Sequence, residues 1–152
     1  MRNELEKFML EALKEAKKAL LIDEVPIGCV IVKDHKIIAR GHNQRESKLD
    51  PLGHAEIIAI KKASKKLKSW RLEDCDIYVT LEPCLMCAGA IIQSRINRVI
   101  FAAYDLKGGA FGSSIDVNKT PNINHHPEVI KEVMLEQSKN MLQDFFKAKR
   151  NK

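Results

Sequence analysis

The run Asp76-Ile77-Tyr78-Val79-Thr80-Leu81 constrains the fold more than any other segment. Apolar and β-branched side chains follow one another with almost no polar interruption, as in a buried strand at the centre of a sheet. Glu82-Pro83 stops it. Cys84 to Ser94 then presents small and apolar side chains nearly all round, which predicts a helix buried under the sheet. Arg98 to Ala103 reads as the next strand. Upstream, the β-branched run Ile27 to Val32 is followed after Asp34-His35 by Ile37-Ile38-Ala39, which predicts an antiparallel hairpin around a short turn.

Helical periodicity accounts for most of the remainder. Leu5, Phe8, Met9, Ala12, Leu13, Ala16 and Leu20 recur on one face between Asn3 and Leu21, with Lys and Glu on the other. Asp50-Pro51 prepares a second helix from about His54 to Lys68. Lys107 to Asn124, rich in Gly, Ser, Asn and Pro, predicts a long functional loop with one short helix inside it. Glu128 to Val133 is expected as a short last strand, and Leu135, Met141, Leu142, Phe145 and Phe146 mark a C-terminal helix. The expected order is therefore an α/β alternation. With 152 residues, 45% hydrophobic and 30% charged, no internal repeat and no linker, residues 1–152 are expected to form one domain. No run approaches the roughly 18 apolar residues of a membrane span, and the N-terminus lacks a signal-peptide core, so a cytoplasmic protein with no membrane contact is expected.

Lys and Arg number 26 against 20 Asp and Glu, a net charge of +6, which favours a polyanionic partner without identifying one. Two short motifs carry more information. His54-Ala55-Glu56 lies at one helix start, and Pro83-Cys84-Leu85-Met86-Cys87 at the next, with a strand between them. Cysteines three apart on a helix share a face and reach one soft divalent metal, and His54 can add a third ligand. A structural zinc site is normally closed by four protein ligands, so three point to a catalytic zinc with room for water. Zinc brings the pKa of such a water toward about 7, and Glu56 is placed to move its proton. Cys29 and Cys75 read as buried or idle thiols.

With these residues in view, the chain resembles the bacterial tRNA-specific adenosine deaminases, within the zinc deaminases that share this motif pair. Beyond the motifs, the resemblance is carried by Glu24-Val25-Pro26-Ile27-Gly28, Gly41-His42-Asn43, Tyr78 through Cys84, Met86 through Ala90, Ser94-Arg95-Ile96 and Asp144-Phe145-Phe146. It implies a three-layer α/β/α cytidine-deaminase-like fold around a central mixed five-stranded sheet, and a homodimer. It also implies one zinc per chain on His54, Cys84 and Cys87, with Glu56 as catalytic proton shuttle. The implied reaction is hydrolytic deamination of adenosine to inosine at the wobble position of a tRNA anticodon, by a zinc-activated hydroxide. Asn43 would contact the purine, Pro26, Ile27 and Leu81 would wall the base pocket, and Asp105, Lys107 and Phe145 would hold the neighbouring nucleotides of the anticodon arm. Phe145 and Phe146 also fit core packing at helical spacing, with one of the two expected to be mostly core. The basic tail Lys147, Lys149, Arg150 and Lys152 fits either a solvated face or phosphate contacts. Two rivals remain in view: a deaminase of a free base or nucleotide, and an inactive zinc-stabilised RNA-binding protein, which would have no need of Glu56.

Overall fold

The computed structural model of the chain describes residues 2–151, so Lys152 of the basic tail lies outside the described residues. Its elements are α1 (Arg2–Leu21), β1 (Gly28–Lys33), β2 (Lys36–His42), α2 (Ala55–Leu67), β3 (Cys75–Leu81), α3 (Leu85–Gln93), β4 (Arg98–Ala103), β5 (Glu128–Ile130) and α4 (Leu135–Arg150), with a single 3-10 turn at Val117–Lys119. The strands form one mixed sheet in the order β2-β1-β3-β4-β5. β1 runs antiparallel to both β2 and β3, whereas β3, β4 and β5 are parallel. The α/β alternation and the mixed five-stranded sheet are thus as expected.

Strand alternation sorts the core into two halves. Cys29, Ile31, Ile77, Val79, Val99 and Phe101 face α2 and α3, whose Ala55, Ala59, Ala63, Ala88 and Ile91 bring those helices close to the sheet. Val30, Val32, Tyr78, Ile100 and Ala102 face the opposite way, onto Phe8, Met9 and Ala12 of α1. On that same side α4 packs over β3 and β4, and the Ser138 hydroxyl donates to the Thr80 carbonyl. The layers are α2/α3, sheet, α1/α4.

The β1–β2 hairpin turns at Asp34 and His35, both with positive φ (51° and 62°), the geometry that suits the twist of two antiparallel strands. Three expectations change. Ala19 takes the buried position on α1 that the periodicity assigned to Leu20, which is 39% exposed. The last strand stops at Ile130, three residues early, because only Glu128, Val129 and Ile130 find partners on β4. α3 is covered on one side only: Cys87, Ala88, Ile91 and Ile92 are buried, whereas Leu85 is 61% exposed.

One contact sets how closely α1 approaches the sheet. A Cβ on Gly28 would stand 2.0 Å from the Ala12 carbonyl oxygen and 2.3 Å from the Ala16 nitrogen, both main-chain atoms of α1. Gly28→Ala is therefore expected to cost about 3 kcal/mol or more, since a helix backbone must retreat to admit it. Urea unfolding checks this. A loss under about 1 kcal/mol would mean that α1 backs away freely and that the fold does not depend on this approach.

The antiparallel pairing of β1 with β3 brings the start of β1 to the same edge as the end of β3. The Asn43 N–H donates to the Ile27 carbonyl (3.1 Å) and the Glu82 N–H to the Ala103 carbonyl (2.8 Å). This edge therefore collects Ile27, Asn43, Leu81, Glu82 and Ala103 from four strands. Binding sites in open α/β sheets form at such edges, beyond the carboxyl ends of parallel strands.

Candidate active site

Two helices begin at this edge, each with a potential ligand at its N-cap. His54 caps α2 with extended backbone (φ −86°, ψ 147°), and Cys84 caps α3 in the same region (φ −74°, ψ 176°). Neither side chain caps its own helix. For α2 the Asn43 side-chain Oδ1 takes over, accepting from the Ala55 N–H at 3.2 Å. That leaves the His54 ring free to turn toward α3. Its Nδ1 stands 3.6 Å from Cys84 Sγ and 3.5 Å from Cys87 Sγ. The three donor atoms lie within 4.8 Å of one another.

These spacings fit zinc. Tetrahedral bonds of about 2.0–2.1 Å to nitrogen and 2.3 Å to sulfur imply nitrogen-to-sulfur edges of roughly 3.6 Å. Two thiolates and one imidazole are also a donor set that zinc prefers. Charge is distributed accordingly. Hydrogen bonds from Cys87 and His54 bring the Cys84 thiol down to about 4 against the effect of burial, while the same contact and burial raise Cys87. Without a cation the pair therefore carries one negative charge, and a dication is what allows both sulfurs to ionise. The hydrogen bond with Cys84 raises His54. Both helix N-termini add favourable positive potential for thiolates.

Glu56 is the second residue of α2 and is only 4% exposed. Burial first, and the charge of Cys84 after it, push its carboxyl up to about 7. A carboxyl in that range accepts and returns protons near neutral pH, as a general acid–base requires.

Asn43 is buried beside Ala55, with its oxygen committed to α2 and its amide nitrogen available to a ligand. Pro26 is buried and Ile27 half-buried at the start of β1, and Leu81 is half-buried at the end of β3. Leu81, Asp105 and Lys107 share a cavity of about 510 Å³ closed on its far side by Leu135, Leu142 and Phe146 of α4. The structure does not bring Phe145 into its lining. The aromatic found there is Phe146, 46% exposed, while half-buried Phe145 packs edge-to-face on it and lies under the Lys149 ammonium. Neither ring is core. Leu142 and Ser138 take the buried positions of α4 instead.

Two buried acids were not legible as site residues. Glu24, 2% exposed, accepts from the Ser47 N–H at 2.6 Å and so ties down the loop that leads to His54. Glu82, equally buried, accepts from the loop after β4. An acid placed beside an apolar strand end was the one available signal. Cys29 and Cys75 are buried thiols raised by burial, Cys75 to about 11, in keeping with idle cysteines.

A mixed sheet with a His-Cys-Cys cluster at two helix starts and a buried glutamate beside it defines the deaminase fold, and the profile of MafB19-like deaminases matches residues 3–150. The chain is 48% identical over 147 residues to the tRNA-specific adenosine deaminase of Bacillus subtilis (strain 168), covering 97% of this chain and 91% of that one. It is 44% identical over 146 residues to the protein of the same name from Aquifex aeolicus (strain VF5), covering 96% of each. A structure solved in work on A-to-I editing by tRNA:A34 deaminases at the wobble position superposes with a TM-score of 0.87 at 43% identity, covering 90% of this chain and 99% of that one. The guanine deaminase of Nitrosomonas europaea shares the fold at 22% identity, with a TM-score of 0.77 over 92% of this chain and 83% of that one. The chain belongs to the tRNA-specific adenosine deaminase family.

Proposed function

We propose that this chain hydrolytically deaminates adenosine to inosine at the wobble position of a tRNA anticodon, with one zinc held by His54, Cys84 and Cys87. The observation that carries this reading is the buried Glu56 carboxyl, set beside a three-ligand cluster in a chain 44–48% identical to proteins named for the reaction. When bound, zinc supplies Lewis-acid activation of the attacking water at neutral pH. Glu56 accepts the proton that water gives up and passes it to the purine ring nitrogen next to the reacting carbon. A second transfer through Glu56 protonates the amino group, which leaves as ammonia, so water and adenosine become inosine and ammonia. Asn43 orients the purine through its free amide, and Pro26, Ile27 and Leu81 keep the base in an apolar, water-poor pocket.

A base stacked in RNA must be turned out to reach Glu56, and an anticodon loop pays less for this than a duplex. Asp105, Lys107 and Phe145, with Phe146 beside it, face the nucleotides around the target. Lys139 in the cavity wall and Lys147, Lys149 and Arg150 on the exposed end of α4 add positive charge for phosphates. We assign the uncovered apolar side of α3 and exposed Trp70 to contact with a second copy of the chain, which makes a homodimer. Among the described residues no helix is long and apolar enough to cross a membrane. With tRNA as its substrate, the protein works in the cytoplasm. The whole of residues 1–152 acts as one domain.

The test is mass spectrometry of an anticodon arm bearing a wobble adenosine after incubation with zinc-loaded protein. Inosine is expected at that nucleotide and nowhere else. An unmodified arm, with zinc bound and a free base or nucleotide deaminated instead, would overturn the reading. Glu56 argues against the non-catalytic alternative, because a protein that only bound RNA would gain nothing from a buried carboxyl beside its metal.

A further inference from the structure

Glu82 has no part in the proton transfers above, yet it is among the most deeply buried charged residues of the chain. Burying a carboxylate is costly unless donors replace its water. All the replacements come from one loop. The Asp105 N–H donates to Oε1 at 3.2 Å, the Phe111 and Ser113 N–H groups donate to Oε2 at 3.0 and 3.2 Å, and the Ser113 hydroxyl donates to Oε1. The loop is shaped for this contact: a Cβ on Gly109 would lie 2.3–2.5 Å from the Glu82 carboxylate atoms. Gly109 in turn forms an isolated antiparallel bridge with Cys84, and the Ala110 N–H donates to the Pro83 carbonyl at 2.9 Å. Glu82 thus stands between the metal-ligand end of β3 and the segment that carries Asp105 and Lys107 into the cavity shared with Leu81.

We propose that Glu82 is a positioning residue for RNA recognition: its carboxylate gathers the 105–113 loop so that Asp105 and Lys107 face the nucleotides flanking the target adenosine. This rests on the tRNA reading above. The loop contains no strand long enough to hold it; besides Glu82, it is held by the main-chain ties to Pro83 and Cys84, by buried Ala110 and Phe111, and by short turns such as the Gly108 N–H donating to Asp105 Oδ1 at 3.1 Å. A carboxylate accepting four donors draws the two ends of this segment to one point, and charge-assisted hydrogen bonds are about twice as strong as neutral ones.

Glu82→Gln keeps the shape but turns an amide NH₂ toward N–H donors, which releases part of the loop. With the anticodon arm as substrate, KM is expected to rise about tenfold or more while kcat stays within about threefold, since the loss falls on binding and not on Glu56. Zinc should remain at one per chain, and the Phe111 and Ser113 amides should lose hydrogen-exchange protection. Gly109→Ala, which drives a methyl into the carboxylate from the other side, is expected to give the same pattern should the first variant fold poorly. Unchanged KM and unchanged protection in both variants would overturn the proposal. Loss of zinc together with kcat, at unchanged KM, would overturn it as well, by tying Glu82 to Cys84 instead. The wild-type control separates the two readings: a wild type inactive on the arm removes the tRNA assignment and with it the RNA role of the loop. An active wild type with unmoved variants removes only the role of Glu82.

Discussion

Glu56→Ala is expected to lower turnover on the anticodon arm by at least about a thousandfold while leaving zinc content and RNA affinity near wild type. The side chain lies outside the ligand cluster, so the three candidate donors stay in place, and the proposed RNA surface on the 105–113 loop and α4 is untouched. What disappears is, among the described residues, the one buried carboxyl beside the cluster, the group proposed to carry protons from water to substrate. Single-turnover inosine formation, read beside zinc content and RNA binding, checks it. Appreciable residual deamination would remove Glu56 from its role. A stability control excludes misfolding. In the metal-free fold the Glu56 carboxyl stands at about 7 against an ordinary 4.5, so between those values the unfolded chain has lost a proton that the folded one keeps. Stability from this group is therefore fully present below about 4.5 and falls as pH rises toward 7, levelling off above it. Glu56→Gln, neutral throughout, is expected to flatten that slope and to leave the metal-free protein no less stable than wild type at pH 8, as urea midpoints at several pH values would report.

Cys87→Ser is expected to lose zinc. Cys87 is fully buried on the first turn of α3, and no other Cys among the described residues joins the cluster to replace it. A hydroxyl does not ionise under conditions where a thiolate forms, so affinity should fall by more than the roughly 10- to 100-fold that outer-shell changes cost. Activity goes with the metal. Binding to the native state alone adds about 4 kcal/mol when free zinc is a thousand times Kd, so wild type should melt at a lower temperature with chelator while the variant melts alike with and without it. One zinc per chain retained in the variant with full activity would show that the ligands lie elsewhere.

Both predictions concern residues that the sequence made legible, and the reason is local. Cys84 and Cys87 are three apart, His54 and Glu56 two apart, and each pair sits at a helix start marked by a preceding proline or turn. Ligand chemistry and helical spacing then mark a candidate metal centre without knowledge of where the two helices meet. β3 was legible for a similar reason, as a strand buried on both faces tolerates little but β-branched and apolar side chains.

What escaped was set at a distance. Glu82 reads as a polar strand end, and its meaning comes from donors 29 and 31 residues further on. Glu24 likewise acts on Ser47. On α4 the spacing of Phe145 and Phe146 marked one face without saying which ring the cavity would receive, and the fold gave the place to Phe146. On α3 hydrophobicity announced burial, whereas the sheet covers one side and leaves Leu85 open. The sequence by itself therefore determined the α/β order, the central strand, the candidate donor set and the acid proposed to carry protons, because each depends on side-chain chemistry within a few residues. Only the tertiary structure decided that His54 Nδ1 reaches both sulfurs, that Asn43 caps the helix beginning at Ala55, and that Glu82 holds the loop beside the cavity. The first depends on the antiparallel placement of β1 against β3 and the last on the parallel pairing of β3 with β4, which together bring segments far apart in the chain to one edge of the sheet.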